Sequence, residues 1–224
     1  MRLDLRLNAI VDPERAGGQN LANLAIRCAR GGATLVQLRD KHSETRTMVE
    51  EARAIKQVLA PLAVPLVIND RLDVAMAAGA DGVHLGQDDM AVEDARRLLG
   101  PKAVIGLSIK SVGEAEAARL DLINYVGTGG VYATSSKQQK NAPIGPDGLA
   151  RILATLRQRA PDMPVCGNHL RGIAGIDAGD AAEVIAAGAD GIAVISALSL
   201  APDPEAAARE LRGIVDVMLA KRGT

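Results

Sequence analysis

The pentapeptide Gln37-Leu38-Arg39-Asp40-Lys41 closes an apolar run, Ala33 to Val36, and turns abruptly polar. In a continuing strand Gln37, Arg39 and Lys41 share one face, because strand side chains alternate with a period of two. Two cations and an amide projecting together suit an anion with several oxygens, such as a phosphate or diphosphate. Taken alone, the stretch is equally a solvated charged edge. Asn69-Asp70 and Gln87-Asp88-Asp89 also follow apolar runs. Asp70 with Asp88 or Asp89 would supply the one or two carboxylates that Mg²⁺ takes from a protein, leaving water and substrate phosphate to complete its shell. Capping of the next helix is the other use for Asp88 and Asp89, and a surface ion pair with Arg71 the other use for Asp70. Ser108 follows a further apolar run. The glycine-rich Gly127 to Gly130 and then Thr134-Ser135-Ser136-Lys137 offer backbone amides, hydroxyls and a cation, a composition suited to phosphate.

These groups need elements to hold them, and the pattern along the chain supplies those elements. Strand-like runs are expected at Leu5 to Val11, Thr34 to Arg39, Val64 to Ile68, Gly82 to Leu85, Val104 to Leu107, Leu122 to Val126, Pro164 to Cys166 and Gly191 to Ile195. Between them lie helix-period segments at Asn20 to Arg30, Ser43 to Leu59, Leu72 to Ala78, Val92 to Leu99, Val112 to Arg119, up to Arg159, Ala178 to Ala187 and Pro204 to Lys221. Eight near-continuously apolar strands alternating with helices predict an α/β fold, a (β/α)8 TIM barrel forming one domain over residues 1–224. An open doubly wound sheet is the alternative, and an echo tips the choice toward a barrel of two similar halves: Ala77 to Leu85 reads Ala-Ala-Gly-Ala-Asp-Gly-Val-His-Leu, and Ala186 to Val194 reads Ala-Ala-Gly-Ala-Asp-Gly-Ile-Ala-Val, although Ala-Gly-Ala-Asp-Gly is also a generic helix-stop-into-strand phrase. In such barrels the active site gathers at the C-terminal strand ends, where the polar groups above all fall. The same rule makes Gly172 to Ile176 and Ile195-Ser196 a second anion site. His84, flanked by Val83 and Leu85, reads as a packed strand residue. The segment Gly127 to Pro146 is longer than an ordinary connection and is expected to be functional.

Composition excludes several classes. The net charge is -1, with 26 basic and 27 acidic residues and no block of either, so neither a nucleic-acid groove nor a basic membrane face is expected. Phe and Trp are absent and Tyr numbers two, which removes aromatic base-stacking and leaves the core to Ala, Val, Leu and Ile. Cys28 and Cys166 lie far apart without metal-ligand spacing and are expected to be buried reduced thiols. Arg2, Asp4 and Arg6 stand where a secretory signal would be apolar, so a cytoplasmic protein is expected.

With these residues in view the chain resembles the thiamine phosphate synthase family. The resemblance runs over nearly the whole length: Gln37 to Lys41, Asn69-Asp70-Arg71, Gly82 to Asp89, Ile105-Gly106-Leu107-Ser108, Tyr125 to Lys137 and Gly188 to Ser196. It implies condensation of 4-amino-5-hydroxymethyl-2-methylpyrimidine diphosphate with 4-methyl-5-(2-phosphooxyethyl)thiazole, giving thiamine phosphate and diphosphate. It further implies that the carbon–oxygen bond breaks first and that the thiazole nitrogen captures the resulting pyrimidine cation. By the same resemblance Gln37, Arg39, Lys41, Asn69, Ser108 and Lys137 hold the pyrimidine diphosphate, with Arg39, Lys41, Ser108 and Lys137 catalytic. Asp70 and Asp89 ligate Mg²⁺, and Thr134, Ser136, Gly175, Ile195 and Ser196 bind the thiazole phosphate. The partners are then small-molecule substrates, and the protein a monomer or small homo-oligomer. The chain departs from the family at Gly167 to Arg171, where about five residues look inserted and are expected to bulge into solvent; at Ala174, in place of a glycine; and at Gly130, where proline is common. A thiazole tautomerase-like barrel and a non-catalytic phosphate-binding paralogue are the rival readings.

Overall fold

The structure, a computed structural model, describes residues 3–131, 144–168 and 178–223. Strands β1 (Leu7–Val11), β2 (Leu35–Leu38), β3 (Leu66–Asn69), β4 (Gly82–Leu85), β5 (Val104–Ile109), β6 (Tyr125–Thr128), β7 (Val165–Asn168) and β8 (Gly191–Val194) are all parallel and close into a barrel in chain order. Helices α1 (Leu21–Arg30), α2 (Thr45–Leu59), α3 (Leu72–Ala78), α4 (Val92–Leu99), α5 (Val112–Ala117), α6 (Gly145–Arg159), α7 (Ala178–Ala186), α8 (Ser196–Ser199) and α9 (Pro204–Arg222) follow the strands. The expected (β/α)8 barrel is therefore the fold, with one short extra helix, α8, after β8.

Strand alternation divides the apolar residues into two bodies. Leu7, Ala9 and Val11 of β1, Val36 and Leu38 of β2, Leu66 and Ile68 of β3, and Val83 and Leu85 of β4 join the layer beneath the helices. Ile10, Leu35, Val67, Tyr125, Cys166 and Ala193 take the opposite face and fill the barrel with a smaller cluster. With no Phe or Trp, Tyr125 is the largest completely buried side chain among the described residues. Burial pushes the Cys28 and Cys166 thiols up to about 12, so both are inert apolar fillers.

At the N-terminal end of the barrel one device recurs four times. The residue before, or at the start of, each even strand reaches back to the preceding odd strand. It gives a backbone N–H to a carbonyl there and takes that same residue's N–H on its side-chain oxygen. Thr34 does this to Leu7 (2.8 and 3.2 Å), Asp81 to Leu66 (2.8 and 2.7 Å), Asn124 to Ile105 (2.7 and 2.9 Å) and Asp190 to Val165 (2.7 and 2.8 Å). The repeated Ala-Gly-Ala-Asp-Gly phrase is thereby explained: its Asp is the clamp, and its Gly lets the next strand close in. A Cβ at Gly82 would overlap the Val104 carbonyl, and one at Gly191 the Leu5 carbonyl.

Several boundaries differ from expectation. β5 runs two residues further, so Ser108 lies inside the strand, held by pairing with Gly127 of β6. β6 starts three residues later than expected and includes Gly127 and Thr128, because Leu120–Leu122 forms a single 3-10 turn. β7 continues through Gly167 and Asn168, which pair with Thr128, Ile192 and Ala193. The first two residues of the supposed insertion are thus ladder residues and not part of a bulge. The remainder, His169 to Arg171, lies outside the described residues. α2 begins at Thr45, not Ser43, because the Asp40 carboxylate accepts from the His42 and Ser43 amides at 3.0 and 2.9 Å and makes the turn itself.

Candidate active site

Every described residue expected at the site lies at the C-terminal rim of the barrel. Gln37 belongs to β2, Asn69 ends β3, Ser108 is in β5, and Ile195 and Ser196 directly follow β8. β2 stops at Leu38, but the Arg39 amide still donates to the Val11 carbonyl at 2.9 Å, so Arg39 keeps its place beside β1. Thr134, Ser136, Lys137 and Gly175 lie outside the described residues.

The rim charges are paired across neighbouring strands. Arg39 meets Asp12, a carboxylate 1% exposed at the end of β1. Lys41 meets Asp70, at the end of β3. The other use considered for Asp70, an ion pair with Arg71, is not formed: Arg71 is turned away, bonded to Asp73 at 2.6 Å and to the Thr45 hydroxyl at 2.8 Å. Asp70 adopts φ 62°, a left-handed conformation that few non-glycine residues take and that functional sites often hold. Its amide donates to the His84 carbonyl at 2.9 Å, which locks this conformation onto β4.

Asp89, and not the adjacent Asp88, completes the acidic pair. Neither caps α4, whose N-cap is Ala91 with no side-chain bond. The Asp89 carboxylate instead accepts from the Gly86 amide at 2.7 Å. Partial desolvation, and then the Asp70 carboxyl within hydrogen-bonding range, push the Asp89 carboxyl above its ordinary value. Two converging carboxylates, in a setting that opposes the charge of Asp89, suit a hard divalent cation with oxygen ligands. Among the described residues no group of three or more His, Cys, Asp or Glu converges; Asp70 and Asp89 are the two carboxylates that could hold such a cation. Arg39 and Lys41 against Asp12, Asp70 and Asp89 leave one net negative charge, so an added cation is what would turn this part of the rim toward an anion.

Uncharged groups line the mouth between these pairs. The Gln37 amide, 3% exposed, and the Asn69 amide make no side-chain hydrogen bond among the described residues, and both stand on the inward-facing register of their strands. His84 is buried, as expected, but it faces inward and is polar-bonded: its Nδ1 lies 2.9 Å from the Tyr125 hydroxyl and its Nε2 2.9 Å from Ser108 Oγ. Gln87 Nε2 donates to the Ser108 carbonyl at 2.6 Å, fixing the end of β5 against the β4 loop. The sequence reading missed Asp12 and Tyr125. Asp12 immediately follows β1, so the strand-end rule would have found it; nothing local marks Tyr125, whose role depends on a strand two places away.

Comparison with known proteins identifies the family of the chain. A family model described as thiamine monophosphate synthase matches residues 7–198. A thiamine-phosphate synthase of Agrobacterium fabrum is 48% identical over 99% of this chain and 98% of its own. One from Xanthobacter autotrophicus is 46% identical over 95% and 96%. The solved thiamine phosphate pyrophosphorylase of Pyrococcus furiosus superposes with a TM-score of 0.81 at 35% identity, covering 97% of this chain and 98% of that one. A barrel whose acidic pair, amides and paired cations gather on one rim, matched along its whole length in this way, belongs to the thiamine monophosphate synthase family.

Proposed function

We propose that this chain joins the pyrimidine diphosphate to the thiazole phosphate, releasing diphosphate and making thiamine phosphate for thiamine biosynthesis. Family membership over the full chain supports the transferase reaction. What carries the assignment of roles is the convergence of Lys41, Asp70 and Asp89 from three strand ends, because a departing diphosphate needs fixed positive charge beside it. Asp70 and Asp89 would hold Mg²⁺, which when bound neutralises charge developing on the leaving diphosphate. Arg39 and Lys41 then bind diphosphate oxygens, held in position meanwhile by Asp12 and Asp70. Gln37, Asn69 and Ser108 present hydrogen-bonding groups to the pyrimidine diphosphate, and Lys137 adds a further cation. Thr134, Ser136, Gly175, Ile195 and Ser196 take the thiazole phosphate. Ionisation of the carbon–oxygen bond before attack requires no general base, consistent with a rim on which the acids are committed to cations.

The test is a discontinuous assay of thiamine phosphate and diphosphate together, with a chelator control. Metal-dependent formation of both in equal amounts is expected. Binding of each substrate without product would instead support the non-catalytic paralogue. In the same assay Asp70→Asn should raise the Mg²⁺ concentration needed for half-maximal rate by about tenfold or more, from loss of one of two carboxylates. An unchanged Mg²⁺ response would remove Asp70 from the metal site.

A further inference from the structure

We propose that His84, Tyr125 and Gly106 form a buried relay that sets the direction of the Ser108 hydroxyl, making His84 a positioning residue for the substrate that Ser108 binds. The proposal rests on the reading of Ser108 as a substrate-binding group.

The relay exists because of one glycine. β5 lies between β4 and β6, and the register aligns His84 with Gly106 and Gly106 with Tyr125. All three positions face into the barrel, so a side chain at the middle position would separate the outer two. A Cβ on Gly106 would overlap the Tyr125 ring and lie 2.6 Å from His84 Nδ1. Without that Cβ, the imidazole and the phenol meet across β5 with ring centroids 5.4 Å apart. Ser108 stands two residues above Gly106 on the same face, within 2.9 Å of the other imidazole nitrogen.

Proton direction follows from what each group must satisfy. Tyr125 is completely buried, and among the described residues its hydroxyl bonds only to His84. Burial raises its pKa well above the ordinary phenol value, so the proton stays on oxygen. That O–H must donate to His84 Nδ1, since otherwise a buried donor is orphaned. Nδ1 is then the acceptor, and the ring proton sits on Nε2. Nε2–H donates to Ser108 Oγ, which satisfies the serine as an acceptor and leaves its own O–H to point into the partly exposed mouth. With the other tautomer, Nε2 would draw the serine proton downward, and Ser108 would offer the substrate only lone pairs. Tyr125 at the barrel centre thus decides whether the rim presents a donor.

The chain has three histidines, which makes the tautomer directly readable. In ¹⁵N-labelled protein, the ring resonances lost in His84→Gln identify His84, and two-bond correlations report which nitrogen carries the proton. The Nε2–H form is expected in the wild type, and Tyr125→Phe should convert it to a mixture. An Nδ1–H ring in the wild type, or an unchanged ring in Tyr125→Phe, overturns the relay, and this readout holds whatever reaction the protein catalyses. In the synthase assay, Tyr125→Phe should lower kcat/KM about tenfold, as loss of one oriented donor does. His84→Gln, whose amide N–H falls near Nε2, should retain more activity than His84→Asn or His84→Ala. In a Ser108→Ala background, Tyr125→Phe should add nothing. An equal additional loss there would show that Tyr125 acts only through packing and would overturn the proposal. Absence of product from wild-type protein would strike the function, and the ring resonances would still decide the relay.

Discussion

At the residue scale, Asp40 and Glu51 show how a charge in a functional motif serves the fold. One Asp40 oxygen takes the His42 and Ser43 amides, while the other, and one Glu51 oxygen, are buried without a hydrogen-bond partner among the described residues. Burial opposes ionisation of Asp40, but the Ser43 side chain and the Ser43 and His42 amides outweigh it and hold the carboxyl low. Its contribution to stability is therefore present at neutral pH and lost as pH falls through the lowered value. Glu51 behaves oppositely. Burial, and then the Asp40 charge, raise its carboxyl, so it favours folding at low pH and opposes it once pH rises past the ordinary carboxylate value into and beyond the raised one. Glu51→Gln should stabilise the protein by about 0.5 kcal/mol near pH 8, the scale of a like-charge pair at a partly exposed site. Near pH 3 the gain should vanish. Urea midpoints at the two pH values would check this, and an equal gain at both would discard the repulsion.

At the scale of elements, the four strand-start clamps make the N-terminal end of the barrel a stabilising face, separate from the chemistry. Asp190 also receives Arg157 at 2.6 Å and Arg222 at 3.3 Å, so it ties β7 to α6 and α9. Asp190→Ala should cost about 3 kcal/mol, since it removes charge-assisted bonds and strands the Val165 amide. Turnover per folded molecule should be unchanged, because conservation of geometry at the opposite rim does not depend on this end. A selective loss of kcat without loss of stability would contradict that division of labour. The clamps were legible only in part. The Ala-Gly-Ala-Asp-Gly repeat marks Asp81 and Asp190 as equivalent without showing what they do, and Thr34 and Asn124 do the same work with different side chains, so only strand register reveals the device.

For the whole molecule, closure of the barrel places β1 beside both β2 and β8, so groups from opposite ends of the chain share one rim. A ligand that bridges groups from several strands should therefore stabilise the barrel as a unit. Mg²⁺ with inorganic diphosphate, at about a hundred times its dissociation constant, would contribute about 2.7 kcal/mol. For a domain of this size that is a rise in Tm of about 5 °C or more. Either component alone should give a smaller shift, because Asp12, Asp70 and Asp89 outnumber Arg39 and Lys41 by one charge where the anion would meet them without the metal. Equal shifts from diphosphate with and without Mg²⁺ would argue against a metal-bridged site.

The barrel, its rim and the place of Gln37, Arg39, Lys41, Asn69, Asp70, Asp89 and Ser108 on that rim were all legible along the chain. Strand periodicity sets which side a residue faces, and the strand-end rule sets which end it occupies, and both are local properties of the chain. Partners came from the folded chain: Asp12 for Arg39, Lys41 and not Arg71 for Asp70, and Tyr125 for His84 across Gly106. Those choices depend on the register between strands and on the space a missing Cβ leaves, and neither is encoded in the spacing of residues along one strand.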